Sequence, residues 1–469
     1  MGEAAGAGGD VAANAGTGQA RGRRRRQPTG SGAGTAVLSA AILVAGLLTG
    51  ALLPGHAGRR GAAAAASSPV RIFPDLRIIH RTAGAPGGGL TPKQIRAAYN
   101  TGPLAARGIT GAGQTIVIVD SFGSPTITGD LAKFDAYFGL AAPPSFRVIQ
   151  PAGRVPAYRP TSDRTTWAGE TTLDVEWAHV LAPGASIVLV ETPTSENEGT
   201  TGFPQIVTAE EYVLRHRMGQ VISQSFAATE QTFVSKKALE DLRTAYKLAA
   251  ADHVSVVSAA GDSGTTGFTY SMKSLYTTRA VAWPATDPLV TAVGGTQLDL
   301  RANGTRRKPD VAWSDGGGGQ SIVFSRPRYQ DQVRAITGPH RGVPDISMDA
   351  SCNSPVAVYA TFPGSGAEHW NSVCGTSLAT PLMAGVIALA DQMAGHSLGL
   401  LNPALYRMAA AHDRGIVDVR QGSNTITFTQ DGKRYTVRGF TARPGYDLVT
   451  GVGTVNAAYF VPELARAPS

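Results

Sequence analysis

From Leu90 onward, short runs of apolar and β-branched residues alternate with stretches of helical periodicity. The run Gln114-Thr115-Ile116-Val117-Ile118-Val119 ends in Asp120, and Ala185–Val190, Gln220–Ser223 and Val254–Ser258 repeat its texture. Strands that are apolar on both faces belong in a parallel sheet covered on both sides. Their alternation with helices predicts an α/β fold with a doubly wound parallel sheet, in which chemistry gathers at the carboxyl ends of the strands. The least polar stretch, Leu382–Ala390, follows Cys374-Gly375-Thr376-Ser377-Leu378-Ala379-Thr380-Pro381. It predicts a buried helix about three turns long, with Pro381 in the first turn, where a missing N–H costs little.

Ahead of Leu90 the pattern is different. Residues 1–35 are rich in Gly, Ala, Arg and Ser and are expected to be disordered. Residues 36–53 carry no charge, and Gly55-His56-Ala57 offers a small-residue cleavage site. Residues 36–57 therefore predict a signal peptide or a membrane anchor, 18 apolar residues being the lower edge of a span. Either way the rest of the chain is expected outside the cytoplasm. Residues 58–88 predict a low-complexity linker with one short strand at Val70-Arg71-Ile72-Phe73.

Composition narrows this only modestly. The 469 residues are 42% hydrophobic and 16% charged, with 57 glycines, as in a loop-rich globular protein. Of the net charge of +8, the N-terminal arm supplies +3, and no basic patch interleaved with aromatics argues for nucleic acid. Two cysteines exclude a disulfide scaffold and a thiolate zinc site.

Three stretches carry candidate chemistry. Ser377 lies at the mouth of the predicted helix, beside the positive end of its dipole and near backbone donors that can steady an oxyanion; an ordinary capping serine fits the same place. Glu170 and Asp174, spaced i, i+4, share one face of a helix in which Leu173, Val175, Trp177 and Ala178 suggest burial. Two like charges so placed favour sharing a proton, whereas a solvated acidic face is the bland reading. Asp262 ends a buried strand in the turn Gly261-Asp262-Ser263-Gly264, where aspartate is also common for structural reasons. The nine histidines fall in no comparable motif, and Asp120, without a histidine partner, reads as structural.

Together and in this order, Glu170-x-x-x-Asp174, Gly261-Asp262-Ser263-Gly264 and Gly375-Thr376-Ser377-x-x-x-Pro381 resemble the sedolisin family, serine-carboxyl peptidases built on a subtilisin-like fold. Flanking stretches, among them Ile222-Ser223-Gln224-Ser225-Phe226 and Pro344-Asp345-Ile346-Ser347, extend the likeness over about residues 89–462. The resemblance implies a single catalytic domain over 89–465, with Ser377 as nucleophile, Glu170 as general base, Asp174 polarising Glu170 and Asp262 in the oxyanion hole. An ionised carboxylate only accepts hydrogen bonds, so Asp262 would act protonated, and the enzyme is expected to work in acid. Ser223, Ser225 and Gly317 would contact the polypeptide substrate. One Ca²⁺ is implied, held by Asp418 and Asp447 with the carbonyls of Val419, Arg443 and Gly445, an all-oxygen shell suited to it; Arg443 stands where the family often has glycine.

Cys352 and Cys374 are expected to form a structural disulfide outside the cytoplasm, worth about 3 kcal/mol in the chain-entropy model. The family's folded pro-domain has no counterpart in residues 58–88, which leaves the activation route open. The expected protein is thus a secreted, monomeric acid endopeptidase acting on polypeptides, membrane-bound only if residues 36–53 are not cleaved. A catalytically silent binding domain displayed at the envelope is the alternative.

Overall fold

In the computed structural model the described residues are 77–79, 88–367 and 369–467. The predicted signal or anchor and the strand expected at Val70–Phe73 lie outside them; a short strand, Arg77–Ile79, pairs antiparallel to Ser372–Cys374.

Eight strands make the central sheet: β1 (Thr115–Ser121), β2 (Phe146–Ile149), β3 (Ser186–Thr192), β4 (Val221–Gln224), β5 (Ser255–Ala259), β6 (Thr291–Gln297), β7 (Val311–Ala312) and β8 (Ile346–Asp349). Their order is β7-β6-β5-β4-β1-β3-β2, with β8 also on β6. Every pairing is parallel except that of β7, which closes antiparallel. The order reverses around β1, as a doubly wound sheet requires.

Side chains on successive strand residues face opposite ways, and the two faces feed two cores. Ile116, Ile118, Val221 and Val257 pack into one; Val117, Val119, Ile222 and Val256 pack into the other. Helices α1 (Ile127–Phe138), α2 (Ser162–Leu181) and α5 (Thr376–Ala394) belong to the first core, and α3 (Phe203–Arg215) and α4 (Thr244–Ala251) to the second. The fold class expected from the strand pattern is the one observed.

Helix α5 differs from its expected form in two respects. It runs 19 residues rather than about three turns, because the buried residues Thr376–Thr380 are already helical at one end and Asp391–Ala394 adds a turn at the other. Pro381 is therefore inside the helix, past the first turn. Its missing N–H leaves the Ser377 carbonyl without a helical donor, and the Ser225 hydroxyl donates to that carbonyl at 3.3 Å. By length and apolarity α5 would suit a membrane span, but 83% of that window is buried inside the fold.

Gly385 explains how closely α2 and α5 approach. A Cβ there would lie 2.8 Å from the Leu181 Cβ and 3.2 Å from the Ala178 carbonyl. Only glycine lets the two helices that carry the candidate chemistry meet at this distance.

Candidate active site

The carboxyl ends of three adjacent strands supply one side of the site. Asp120 is the penultimate residue of β1, Ser225 follows β4, and Asp262 lies three residues beyond β5. Helix α2 contributes Glu170 and Asp174 from above the sheet, and α5 contributes Ser377 from its first turn. Gly375, in an extended conformation with positive φ (138°), precedes that turn as the cap, so Ser377 does not cap its own helix. Its hydroxyl makes no hydrogen bond among the described residues.

Hydrogen bonds tie these elements into one run. Asp262 Oδ1 accepts from the Thr376 N–H and from Thr376 Oγ1, both at 2.7 Å. The Gly261 N–H in turn donates to Thr376 Oγ1 at 3.2 Å. On the other side of Ser377, Ser225 Oγ reaches Asp174 Oδ1 at 2.9 Å as well as the Ser377 carbonyl. The sequence from Asp262 through Thr376, Ser377 and Ser225 to Asp174 is therefore continuous, and all five residues are buried.

The electrostatics add a residue that sequence reading passed over. Asp174 is fully buried, and burial holds its carboxyl well above the usual carboxylate range, with further upward pushes from Asp120 first and then Glu170. Asp120 is itself raised to about 7, by burial first and further by Glu191. Glu170, Asp174 and Asp120 thus form a line of carboxyls that cannot all ionise cheaply. The strand-end position of Asp120 was visible in the sequence; its proximity to Asp174 depends on how α2 crosses β1.

The residues expected to touch substrate are placed as follows. Ser223 is buried within β4, and its hydroxyl has no hydrogen-bond partner among the described residues. Ser225 serves the run just described. Gly317 presses its backbone on the Asp262 turn: its N–H donates to the Gly261 carbonyl at 2.6 Å, and a Cβ would sit 1.9 Å from the Ala260 carbonyl. Cys352 and Cys374 form a disulfide, their Cα atoms 5.0 Å apart, three residues ahead of Ser377.

Asp418 and Asp447 grip one loop. The Gly445 N–H donates to Asp418 Oδ2 at 3.2 Å, and the Arg443 N–H donates to Asp447 Oδ2 at 2.9 Å. Asp418 Oδ1 is buried with no hydrogen-bond partner, while Oδ2 also takes a 2.7 Å bond from Arg420. A buried carboxylate oxygen beside a turn of backbone fits a hard cation. Among the described residues no three His, Cys, Asp or Glu side chains converge as a metal cluster, so most of such a shell would be backbone and water.

A three-layer α/β/α sheet with a serine at a buried helix mouth and carboxyls at strand ends defines a subtilisin-like hydrolase fold. The chain belongs to the subtilase family, whose model matches residues 165–422. Kumamolisin from Bacillus sp. (strain MN-32) is 30% identical over 381 residues, covering 78% of this chain and 61% of that protein. Sedolisin from Pseudomonas sp. (strain 101) is 27% identical over 404 residues, covering 83% of this chain and 64% of sedolisin. The chain thus spans about three fifths of the length of these relatives. The solved Pseudomonas sedolisin, a serine-carboxyl proteinase complexed with two molecules of pseudo-iodotyrostatin, superposes with a TM-score of 0.65 at 24% identity. That match covers 81% of this chain and 98% of that one, and it establishes the common fold.

Proposed function

We propose that the protein is an acid-active serine-carboxyl endopeptidase exported from the cytoplasm. The observation that carries this reading is the buried run Asp262–Thr376–Ser377–Ser225–Asp174, with Glu170 one turn from Asp174 on the same helix. Ser377 Oγ attacks the scissile carbonyl while Glu170, as carboxylate, takes its proton. Asp262, protonated, donates to the oxyanion, its carboxyl plane fixed by the two bonds from Thr376. Glu170 then returns the proton to the leaving amine, and a water activated by Glu170 hydrolyses the acyl-enzyme. Asp174, kept protonated by its surroundings, orients Glu170. The chemistry needs one carboxyl ionised and two neutral, which is favoured in acid.

One Ca²⁺, held by Asp418, Asp447 and the carbonyls of Val419, Arg443 and Gly445, would pin the C-terminal loop electrostatically. The protein would act as a monomer on polypeptides, secreted once residues 36–57 are removed.

An acid quench during turnover of a peptide ester tests the mechanism. Mass spectrometry should find the acyl group on Ser377, and none on the Ser377→Ala protein. Turnover without any adduct at Ser377, under conditions where deacylation limits the rate, would rule the mechanism out.

A further inference from the structure

A hairpin near the C-terminus has no part in the reaction described, yet it stands on the turn that carries Asp262. Its strands, β9 (Ile426–Gln430) and β10 (Lys433–Val437), pair with Thr429 opposite Arg434 and Gln430 opposite Lys433. Alternate residues split by face. Phe428, Tyr435 and Val437 turn inward and form a small core with Phe268 and Leu275 from the loop after the Asp262 turn. The Gln430 amide fastens that loop through two bonds to the Leu275 backbone, at 3.0 and 3.1 Å, and Arg279 fastens it again by donating to the Arg438 carbonyl at 2.8 Å. Hairpin and loop are one unit.

The base of the unit adjoins the catalytic turn. The Thr265 N–H donates to the Asn424 carbonyl at 3.0 Å, and a Cβ on Gly264 would lie 3.1 Å from the Ile426 Cβ. Gly264 is two residues from Asp262.

The outward surface of the unit is basic. Lys273, Arg279, Lys433, Arg434 and Arg438 are all exposed, against Asp431 in the hairpin turn and half-buried Asp315 at the base. Among the described residues none of the five cations has a carboxylate within ion-pair distance. The chain's own N-terminal arm, with five arginines over residues 21–26, is the wrong sign to cover this face.

We propose that this basic hairpin is a docking surface for acidic stretches of polypeptide that flank the bond being cut. The inference rests on the peptidase reading for its occupant, but not for its affinity. Exposed charge pairs are individually weak and salt-sensitive, so the surface biases selection instead of setting it. Glutamates are ionised above about pH 4.5, so the attraction operates in the upper part of an acid range.

The test uses the full chain carrying Ser377→Ala and two fluorescent peptides that differ only in a Glu-rich or Gln-rich tail. Anisotropy at pH 5.5 should show the Glu tail binding about five-fold tighter at low salt. That advantage should vanish in roughly 0.5 M salt and in the triple variant Lys433→Ser, Arg434→Ser, Arg438→Ser. Arg434 and Arg438 lie on the hairpin's outward face and Lys433 is exposed beside its turn, and Arg434→Glu, which should favour the Gln tail, guards against a folding artefact. In the active chain the triple variant should raise KM for the Glu-tailed peptide and leave kcat unchanged. Equal binding of the two tails overturns the proposal. So does displacement of the Glu peptide by anionic lipid vesicles whose own binding depends on the same residues, which would assign the face to a membrane. A Glu preference in binding with no cleavage of either peptide upholds the surface and counts against the peptidase reading.

Discussion

At the residue scale, the site turns on which carboxyl holds a proton. Removing Asp120 tests this without touching the reacting atoms. Asp120 is the largest charge effect raising Asp174, so Asp120→Asn lowers the Asp174 pKa. If Asp174 must be protonated to orient Glu170, the alkaline limb of the kcat/KM profile moves to lower pH. An unmoved limb in a folded variant would deny the coupling. Glu170→Gln, by contrast, removes the base and should lower kcat by ~10²–10⁴-fold at every pH. Glu170, Asp174, Asp262 and Ser377 stood out as candidates because their spacing and strand-end or helix-mouth positions are local properties, while their proposed roles came from the family resemblance of the three motifs taken in order. Asp120 was not, because a carboxylate's neighbours across a sheet are set by helix packing, which no single stretch encodes.

At the scale of elements, α2 and α5 carry the base and the nucleophile of the proposed mechanism, and Gly385 sets their separation. Gly385→Ala should destabilise the fold by about 1–3 kcal/mol through overpacking and lower kcat together with Tm. Pro381→Ala separates stability from activity. Restoring the N–H gives the Ser377 carbonyl a helical donor in competition with Ser225. Thermal stability should rise, since an interior proline costs a helix about 3 kcal/mol, while kcat falls as Ser225 loses one of its two holds. A variant with unchanged kcat would mean that the Ser225 bond does not matter to catalysis. The apolar run foretold the existence of α5, but not its length. Helix ends depend on capping geometry, here the positive φ of Gly375 and the left-handed Gly395, and small residues such as Thr376 and Ser377 carry little periodic signal. Strands β1, β3, β4 and β5 were legible to within a few residues because burial on both faces leaves only one texture, whereas the edge strand β2 is half exposed and carries no such signal.

At the scale of the molecule, the fold buries many carboxyls, and for them desolvation outweighs any neighbouring cation, as for Asp135 beside Arg96. Burial lifts Asp135, Glu198 and Asp391 each to about 7 and Glu210 to about 8. Their ordinary values are 3.8 for Asp and 4.5 for Glu. A carboxyl whose pKa is raised by folding contributes stability that is whole below its ordinary value and lost as pH rises through its folded value. Stability should therefore decline between about pH 4 and pH 8, and Tm measured across that range should fall steadily. A Tm that rises toward neutrality would contradict the burial described. Chelation is the second test at this scale. EGTA should lower Tm, and added Ca²⁺ at ~100-fold its Kd should restore about 2.7 kcal/mol, with no such response in Asp418→Asn.

The most direct test of the account is the pH dependence of peptide-bond hydrolysis by the full chain, measured on an unfolded protein substrate from pH 3 to 8 beside Ser377→Ala. The account predicts a rate that peaks in acid, fades toward neutrality and is absent in the variant. Hydrolysis that peaks at or above neutral pH, or survives the loss of Ser377, would contradict it.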